Sequence, residues 1–280
     1  MKVVKFNQLN KLISQIHIIN PQNVPYEILS LHTREGMTLA YLLAESPFTQ
    51  VDAPFMDDLL QDNALSLTNS TFDDTVAGVL ARRGWLGGEQ TFAVLSLPAG
   101  KDGSAAHVMA KNKHHFTQIP VLSLMNEYGD SVAHIEAQNG QKFPLLDNFS
   151  KSSRATVLAL RNSKNGRLVM HDMAACGVIF SGEDLAMADG KGWCVAHEMA
   201  EQGYCFYNED VLNYQDHKDN TVRAIYEKGR YARGNKTDNA KRNYLGLIDD
   251  LGMLSHLPRD TLSLSMMGLD PIADNRSANA

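Results

Sequence analysis

Gly192-Trp193-Cys194-Val195-Ala196-His197-Glu198-Met199-Ala200-Glu201-Gln202-Gly203 stands behind Asp184-Leu185-Ala186-Met187, and the same order of residue types returns along the chain. Val121-Leu122-Ser123-Leu124 leads in the same way into Gly129-Asp130-Ser131-Val132-Ala133-His134. Each copy holds a short phrase of Leu-x-Leu type, a break at Gly or Asp, and a Thr or Ser that opens a Val-Ala-His-like run. Aligned on the histidine, seven copies give the column Tyr41, Gly78, His107, His134, His171, His197 and Ala224. The steps are 37, 29, 27, 37, 26 and 27 residues, a period with two insertions. Self-similarity at a spacing of roughly 20 to 50 residues marks architectures built by stacking one supersecondary unit on the next.

Other columns carry a physical reading. Five residues before the histidine stand Gly36, Asp73, Asp102, Gly129, Gly166, Gly192 and Asp219, types that favour a turn or a left-handed backbone. Three before it stand Thr38, Thr75, Ser104, Ser131, Leu168, Cys194 and Thr221; five of the seven offer a side-chain oxygen able to cap a helix, so the helix starts there. Within the helix, Ala44, Ala81, Ala110, Ala137, Ala174 and Ala200 make a small-residue column that suits close helix approach, with Glu227 as the departure. Leu43, Leu80, Met109, Met173 and Met199 form a larger apolar column interrupted by Glu136 and Tyr226. Together with Val76, Val132, Val195 and Val222 they fall on one buried stripe. Gly84, Gly140, Gly177 and Gly203 stop the helix, and Phe116, Phe143, Phe180 and Phe206 follow as core anchors.

The second element of each copy centres on Leu29/Leu31, Leu65/Leu67, Leu95/Leu97, Leu122/Leu124, Leu158/Leu160, Leu185/Met187 and Leu212/Tyr214. Alternation allows a strand here. Stretches such as Met56-Asp57-Asp58-Leu59-Leu60 and Asn208-Glu209-Asp210-Val211-Leu212 favour a short helix instead.

The skeleton Gly-x-Thr-x-x-His-x-x-Ala-x-x-Gly, seen best at residues 192–203 with Cys194 in the Thr place, resembles the ankyrin repeat family over roughly residues 28 to 232. Val-Ala replaces that family's Pro-Leu pair, and most copies run shorter than its usual ~33 residues, so the likeness is to a divergent, ankyrin-like subtype. The resemblance implies an all-α repeat solenoid of short helix pairs, about seven repeats with terminal capping helices. An N-terminal cap is expected over 1–27 and the solenoid over 28–232. A linker follows over 233–243, a C-terminal capping helix over 244–267 and a loose tail over 268–280. It also implies a non-enzymatic protein-binding scaffold whose partner is met by the concave or turn face. The turn residues presented there are Arg34, Glu35, Lys101, Glu127, Tyr128, Lys164, Asn165, Lys191, Trp193, Lys218 and Asp219. Tyr128 and Trp193 stand out, because aromatic residues anchor interfaces best.

With 280 residues and 44% hydrophobic content, the chain is long enough for one elongated domain. Its three cysteines, Cys176, Cys194 and Cys205, show no paired spacing, so disulfides are not expected and a reducing compartment is. No apolar run of ~18 residues occurs, and Lys5, Asn7 and Gln8 interrupt any signal-like start, so a cytoplasmic protein is expected. A signal read only by specialised bacterial secretion machinery, delivering the chain to a host cell, would escape this test.

The histidine column invites a metal reading, which geometry opposes. Equivalent positions on stacked helices lie ~8 to 10 Å apart, whereas zinc needs each nitrogen within ~2.1 Å. No metal or cofactor is expected, and the resemblance implies that these histidines bond to neighbouring turns. Gly-x-Ser-x-Gly, Walker-type and dinucleotide fingerprints are missing, and His197-Glu198 lacks a zincin's second histidine. A hydrolase or transferase with a His/Asp site in a groove is the alternative, using residues such as His171 or His197. Net charge is -6, unevenly spread: Asp52, Asp57, Asp58, Asp62, Asp73 and Asp74 make the first third acidic. Arg223, Lys228, Arg230, Arg233, Lys236, Lys241 and Arg242 stand against Glu227 and Asp238 near the far end. That patch offers a site for an acidic partner. A nucleic-acid or nucleoprotein antagonist acting through the charged ends is a further alternative, opposed by the overall acidity. The departures Glu136, Glu227 and Trp193 are expected to belong to function rather than folding.

Overall fold

The computed structural model describes residues 24–46, 56–87, 89–140 and 151–233, with Lys5, Asn7, Gln8 and Lys11 ahead of them. Most of the N-terminal cap, both insertions, Phe143, and everything expected after residue 233 lie outside the described residues.

The protein is mostly helical, with fourteen α-helices and one 3₁₀ helix among the described residues. Its contacts divide it inside the stretch expected to be continuous. One unit comprises Met1–Val178 with Ala188–Lys191, the other Ile179–Met187 with Gly192–Ala280. In the first, Leu39–Glu45 packs on Val76–Arg82, which packs on Ala105–Lys111, then Val132–Gln138, then Val169–Ala175. In the second, Val195–Glu201 packs on Val222–Arg233.

All seven of these helices begin one residue after the expected cap position. The hydroxyls of Thr38, Thr75, Ser131 and Thr221 accept from the amide three residues on, at 3.1 to 3.3 Å. Leu168 and Cys194 have no hydroxyl to offer. There the histidine reaches back: Nδ1 of His171 accepts from the Leu168 amide at 3.3 Å, and Nδ1 of His197 from the Cys194 amide at 3.1 Å. His107 and His134 do the same for Ser104 and Ser131, both at 3.2 Å. The imidazole therefore fills the place that Glu or Gln takes in a capping box.

The Leu-x-Leu phrase is the end of a helical turn. Tyr26–Leu29, Asp62–Leu65, Phe92–Leu95, Ile119–Leu122, Lys151–Leu158 and Glu209–Leu212 all stop at its first residue, and Leu185 lies in the 3₁₀ helix Gly182–Ala186. Past that stop, the carbonyl of the phrase's second large residue accepts from the first amide of the following long helix. Leu39 to Leu31, Val76 to Leu67, Ala105 to Leu97, Val132 to Leu124, Val169 to Leu160, Val195 to Met187 and Val222 to Tyr214 all make this bond, at 2.8 to 3.2 Å. Between the two ends a loop doubles back as a miniature hairpin. Thr68–Asn69 pairs antiparallel with Asp74–Thr75. Single bridges close the equivalent loops at His32 with Thr38, Pro98 with Ser104, Met125 with Ser131, Arg161 with Leu168, and Gln215 with Thr221.

Left-handed backbone appears where expected, with φ of +80° at Gly36, +48° at Asp73, +84° at Gly129, +71° at Gly166, +76° at Gly192 and +60° at Asp219. Asp102 is the exception. Gly100 and Gly103, at +61° and +99°, take the strained positions of that loop, and Asp102 instead pairs with Lys111 Nζ at 2.7 Å. A further column escaped the sequence reading. Two residues past the phrase, the side chains of Thr33, Asn69, Asn126, Asn162, Asp189 and Asp216 fold over their own loops and accept backbone amides at 2.7 to 3.3 Å. These are Asx- and ST-turns, which stabilise a loop from within.

The core follows the expected columns. Val76, Val132, Val195 and Val222 are wholly buried, each of the six alanines is at most 1% exposed, and Phe116, Phe180 and Phe206 are 4 to 5% exposed. Full burial of such a side chain contributes roughly 1.5 to 3 kcal/mol for the larger residues.

Candidate functional site

The four histidines are fully buried. With Nδ1 accepting from the cap amide, the ring proton sits on Nε2, and in His107, His134 and His197 that N–H donates across to the loop of the next segment. His107 reaches the Asp130 carbonyl at 3.2 Å, His134 the Arg167 carbonyl at 3.0 Å, and His197 the Asn220 carbonyl at 3.1 Å. Each acceptor immediately precedes the next helix cap. Burial pushes His107 below the ordinary imidazole range, so it is held neutral. Among the described residues no group of three His, Cys, Asp or Glu is arranged to hold a metal ion.

Where the column departs from histidine, other chemistry closes the same gap. Tyr41 donates its hydroxyl to Asp74 Oδ2 at 3.0 Å, and Asp74, just ahead of the Thr75 cap, is bound by Arg82. Burial and the adjoining carboxylate push the Tyr41 hydroxyl above its usual range, so it stays protonated. Arg82 Nη1 donates to the Ala99 carbonyl at 3.2 Å, the direction in which histidine acts elsewhere. Gly78 is needed for this exchange: a Cβ there would lie 2.4 Å from Asp74 Oδ1 and 2.8 Å from the Ala99 Cα. Gly78→Ala is therefore expected to lower stability by about 1 to 3 kcal/mol through overpacking, read as a fall in the urea midpoint; an unchanged midpoint would count against this packing.

Two of the departures expected to serve function are drawn into the structure. Glu136 is fully buried; its Oε1 accepts from the Phe116 amide at 3.0 Å, while Oε2 has no hydrogen-bond partner. His115 Nδ1 stands 3.7 Å from Oε2, beyond hydrogen-bond reach. Burial pushes the Glu136 carboxyl up to about 8. Trp193 stacks on His197 with centroids 5.0 Å apart, and its Nε1–H donates to Glu198 at 3.2 Å. That ring is half-buried on its own helix, unlike a freely presented anchor. Glu227 is exposed. Asp172, next to His171 in the chain, accepts from Arg167 Nε at 2.6 Å and Gln138 Nε2 at 3.1 Å.

The remaining turn residues are presented. Arg34, Glu35, Lys101, Glu127, Tyr128, Lys164, Asn165 and Lys191 are exposed in the first unit, and Lys218 and Asp219 in the second. Loops of the first unit are tied side by side. Thr71 Oγ1 donates to the Glu35 carbonyl at 2.8 Å, the Gly100 amide to Asp73 at 3.1 Å, and the Ser163 amide to Gly129 at 2.9 Å. Between the 96–104 and 124–127 stretches a groove of about 270 Å³ opens, with Asp73 also lining it. Beside it stand exposed apolar side chains absent from the expected set: Phe72 is 67% exposed and Met125 44%, against 59% for Tyr128. Phe72 shares its loop with Asp73, and no column marked it. In the basic stretch, Arg223 pairs with Glu209, and residues 234–242 lie outside the described ones.

Among the described residues no helix is long and apolar enough to cross a membrane. Comparison with protein-family models gives no match, and comparison with curated proteins gives none either.

Proposed function

We propose that the chain is an ankyrin-like repeat protein that binds another protein through its loop tips and carries no catalytic activity of its own. One observation carries this reading: the groups that look chemical serve the frame, while the side chains at the loop tips point to solvent. His107, His134 and His197 spend both ring nitrogens on backbone partners, which leaves no lone pair for a base or nucleophile relay. The same closure between the phrase and the next helix, made seven times, supports repetition of one structural unit along the chain. Against that frame, Tyr128 and the charged tips supply an aromatic anchor with a polar surround, the composition that interfaces favour.

The test is capture of a binding partner by the full chain, repeated with Lys101, Glu127 and Tyr128 all changed to alanine. Binding should fall at least tenfold, about 1.4 kcal/mol or more, while the thermal midpoint stays within a degree or two because these side chains are exposed. Undiminished capture would remove the loop tips from the interface.

A further inference from the structure

We propose that the groove between the 96–104 and 124–127 stretches takes an extended peptide segment in which an apolar side chain is flanked by lysine or arginine. This rests on reading the loop tips as a protein-binding face, and it specifies what they bind. Size comes first. At about 270 Å³ the groove falls below the ~300 to 1,000 Å³ of sites that engulf a small molecule. It suits one or two side chains carried on a larger partner.

The lining sets the chemistry. Pro98, Leu124 and Met125 give apolar walls. Gly100 and Gly103 line the other side with their amides and carbonyls already bonded within the loop and to Asp73, so the ligand meets the groove through its side chains. Phe72 and Tyr128, each adjacent in the chain to a lining residue, offer exposed aromatic surface on the same loops.

Charge selects among peptides. Of the carboxylates around the groove, Asp74 is matched by Arg82 and Asp102 by Lys111. Asp73 and Glu127 line the groove and are exposed. The surrounding described residues from 24 to 130 carry twelve Asp and Glu against six Lys and Arg. A basic segment is therefore drawn in by the field as well as by the two lining carboxylates. Lys101, exposed on the same loop, orients it, so that the ligand's cations lie toward Asp73 and Glu127.

Selection from a random peptide library on the immobilised full chain tests this. Enriched sequences should place Lys or Arg on both sides of an apolar residue, and their binding should weaken as salt is raised. The double variant Asp73→Asn, Glu127→Gln should bind a selected peptide about three- to tenfold more weakly. Asn tolerates the left-handed backbone at residue 73, and circular dichroism should match the parent. Phe72→Ser with Met125→Ser should cost more than tenfold. Acidic or uncharged winners, no winners at all, or full affinity in the double variant would each overturn the proposal. If winners are instead lost on changing Lys164 and Asn165, the groove is wrong but loop-tip binding stands. If no loop substitution affects any winner, both readings fall.

Discussion

His134→Ala is expected to lower unfolding stability by about 3 to 5 kcal/mol, measured by urea unfolding followed by circular dichroism. The cap bond alone is worth only ~1 kcal/mol. More is lost because the ring is fully buried and makes bonds on both sides. Its removal strands the Ser131 amide, 3.2 Å from Nδ1, and the Arg167 carbonyl, 3.0 Å from Nε2. Each orphaned buried group costs about 1 to 3 kcal/mol, and the void adds to that. Against a typical domain stability of ~5 to 15 kcal/mol, the loss is large. Ser131→Ala, which keeps the ring's bonds to the residue 131 amide and the Arg167 carbonyl and removes only the hydroxyl 2.7 Å from Nδ1, should cost only ~1 kcal/mol. Equal effects from the two substitutions would mean that the imidazole does not span the two segments.

Glu136→Gln should remove the share of the pH dependence of stability that Glu136 contributes. The folded-state carboxyl sits at about 8 against an ordinary 4.5. The folded protein therefore holds a proton that the unfolded chain has released. Its contribution is complete below about pH 4.5 and drains away as pH rises through 8, with a limiting slope of ~1.4 kcal/mol per pH unit. Burial is the cause, since the Phe116 bond works in the opposite direction. Glutamine keeps an acceptor for the Phe116 amide and never ionises, but its NH2 inherits the unpartnered place of Oε2. The parent should be the more stable near pH 5 by ~1 kcal/mol. Above pH 8 the order should reverse by a few kcal/mol. Parallel stability curves for the two proteins would show that Glu136 ionises in the folded state as freely as in the unfolded chain.

Legibility in the sequence followed the range of the bond. Helix starts at Thr38 through Thr221 were readable because cap and amide lie three residues apart, and the left-handed Gly and Asp positions because φ is a local property. Asp102 misled because two glycines in the same loop share its task. The Asx column from Thr33 to Asp216 is equally local, yet it mixes Thr, Asn and Asp and breaks at Ala99, so identity alone did not mark it. Harder still were features closed by another segment. Nothing near Tyr41 announces Asp74, and nothing near Gly78 announces that Ala99 occupies its space. Among the candidate interface residues, exposure followed from lying at a loop tip, but Trp193 was lost to the histidine four residues on. Phe72, Met125 and the groove were missed because they arise between loops whose alignment treats each one singly. Glu136 stood out as an irregularity. Only its surroundings turn it from a candidate contact into a buried acid.

The histidine bonds have a sense of direction. Each of His107, His134 and His197 steadies its own helix start with one nitrogen and the following segment's loop with the other, never the preceding one. Asn112 and Asn139 reach the other way, to the Ala81 and Ala110 carbonyls of the preceding helices, so neighbouring segments are laced in both directions. Loss of one ring therefore loosens the helix start it caps as well as the loop that follows, so exposed tips on both sides of the break become harder to hold still.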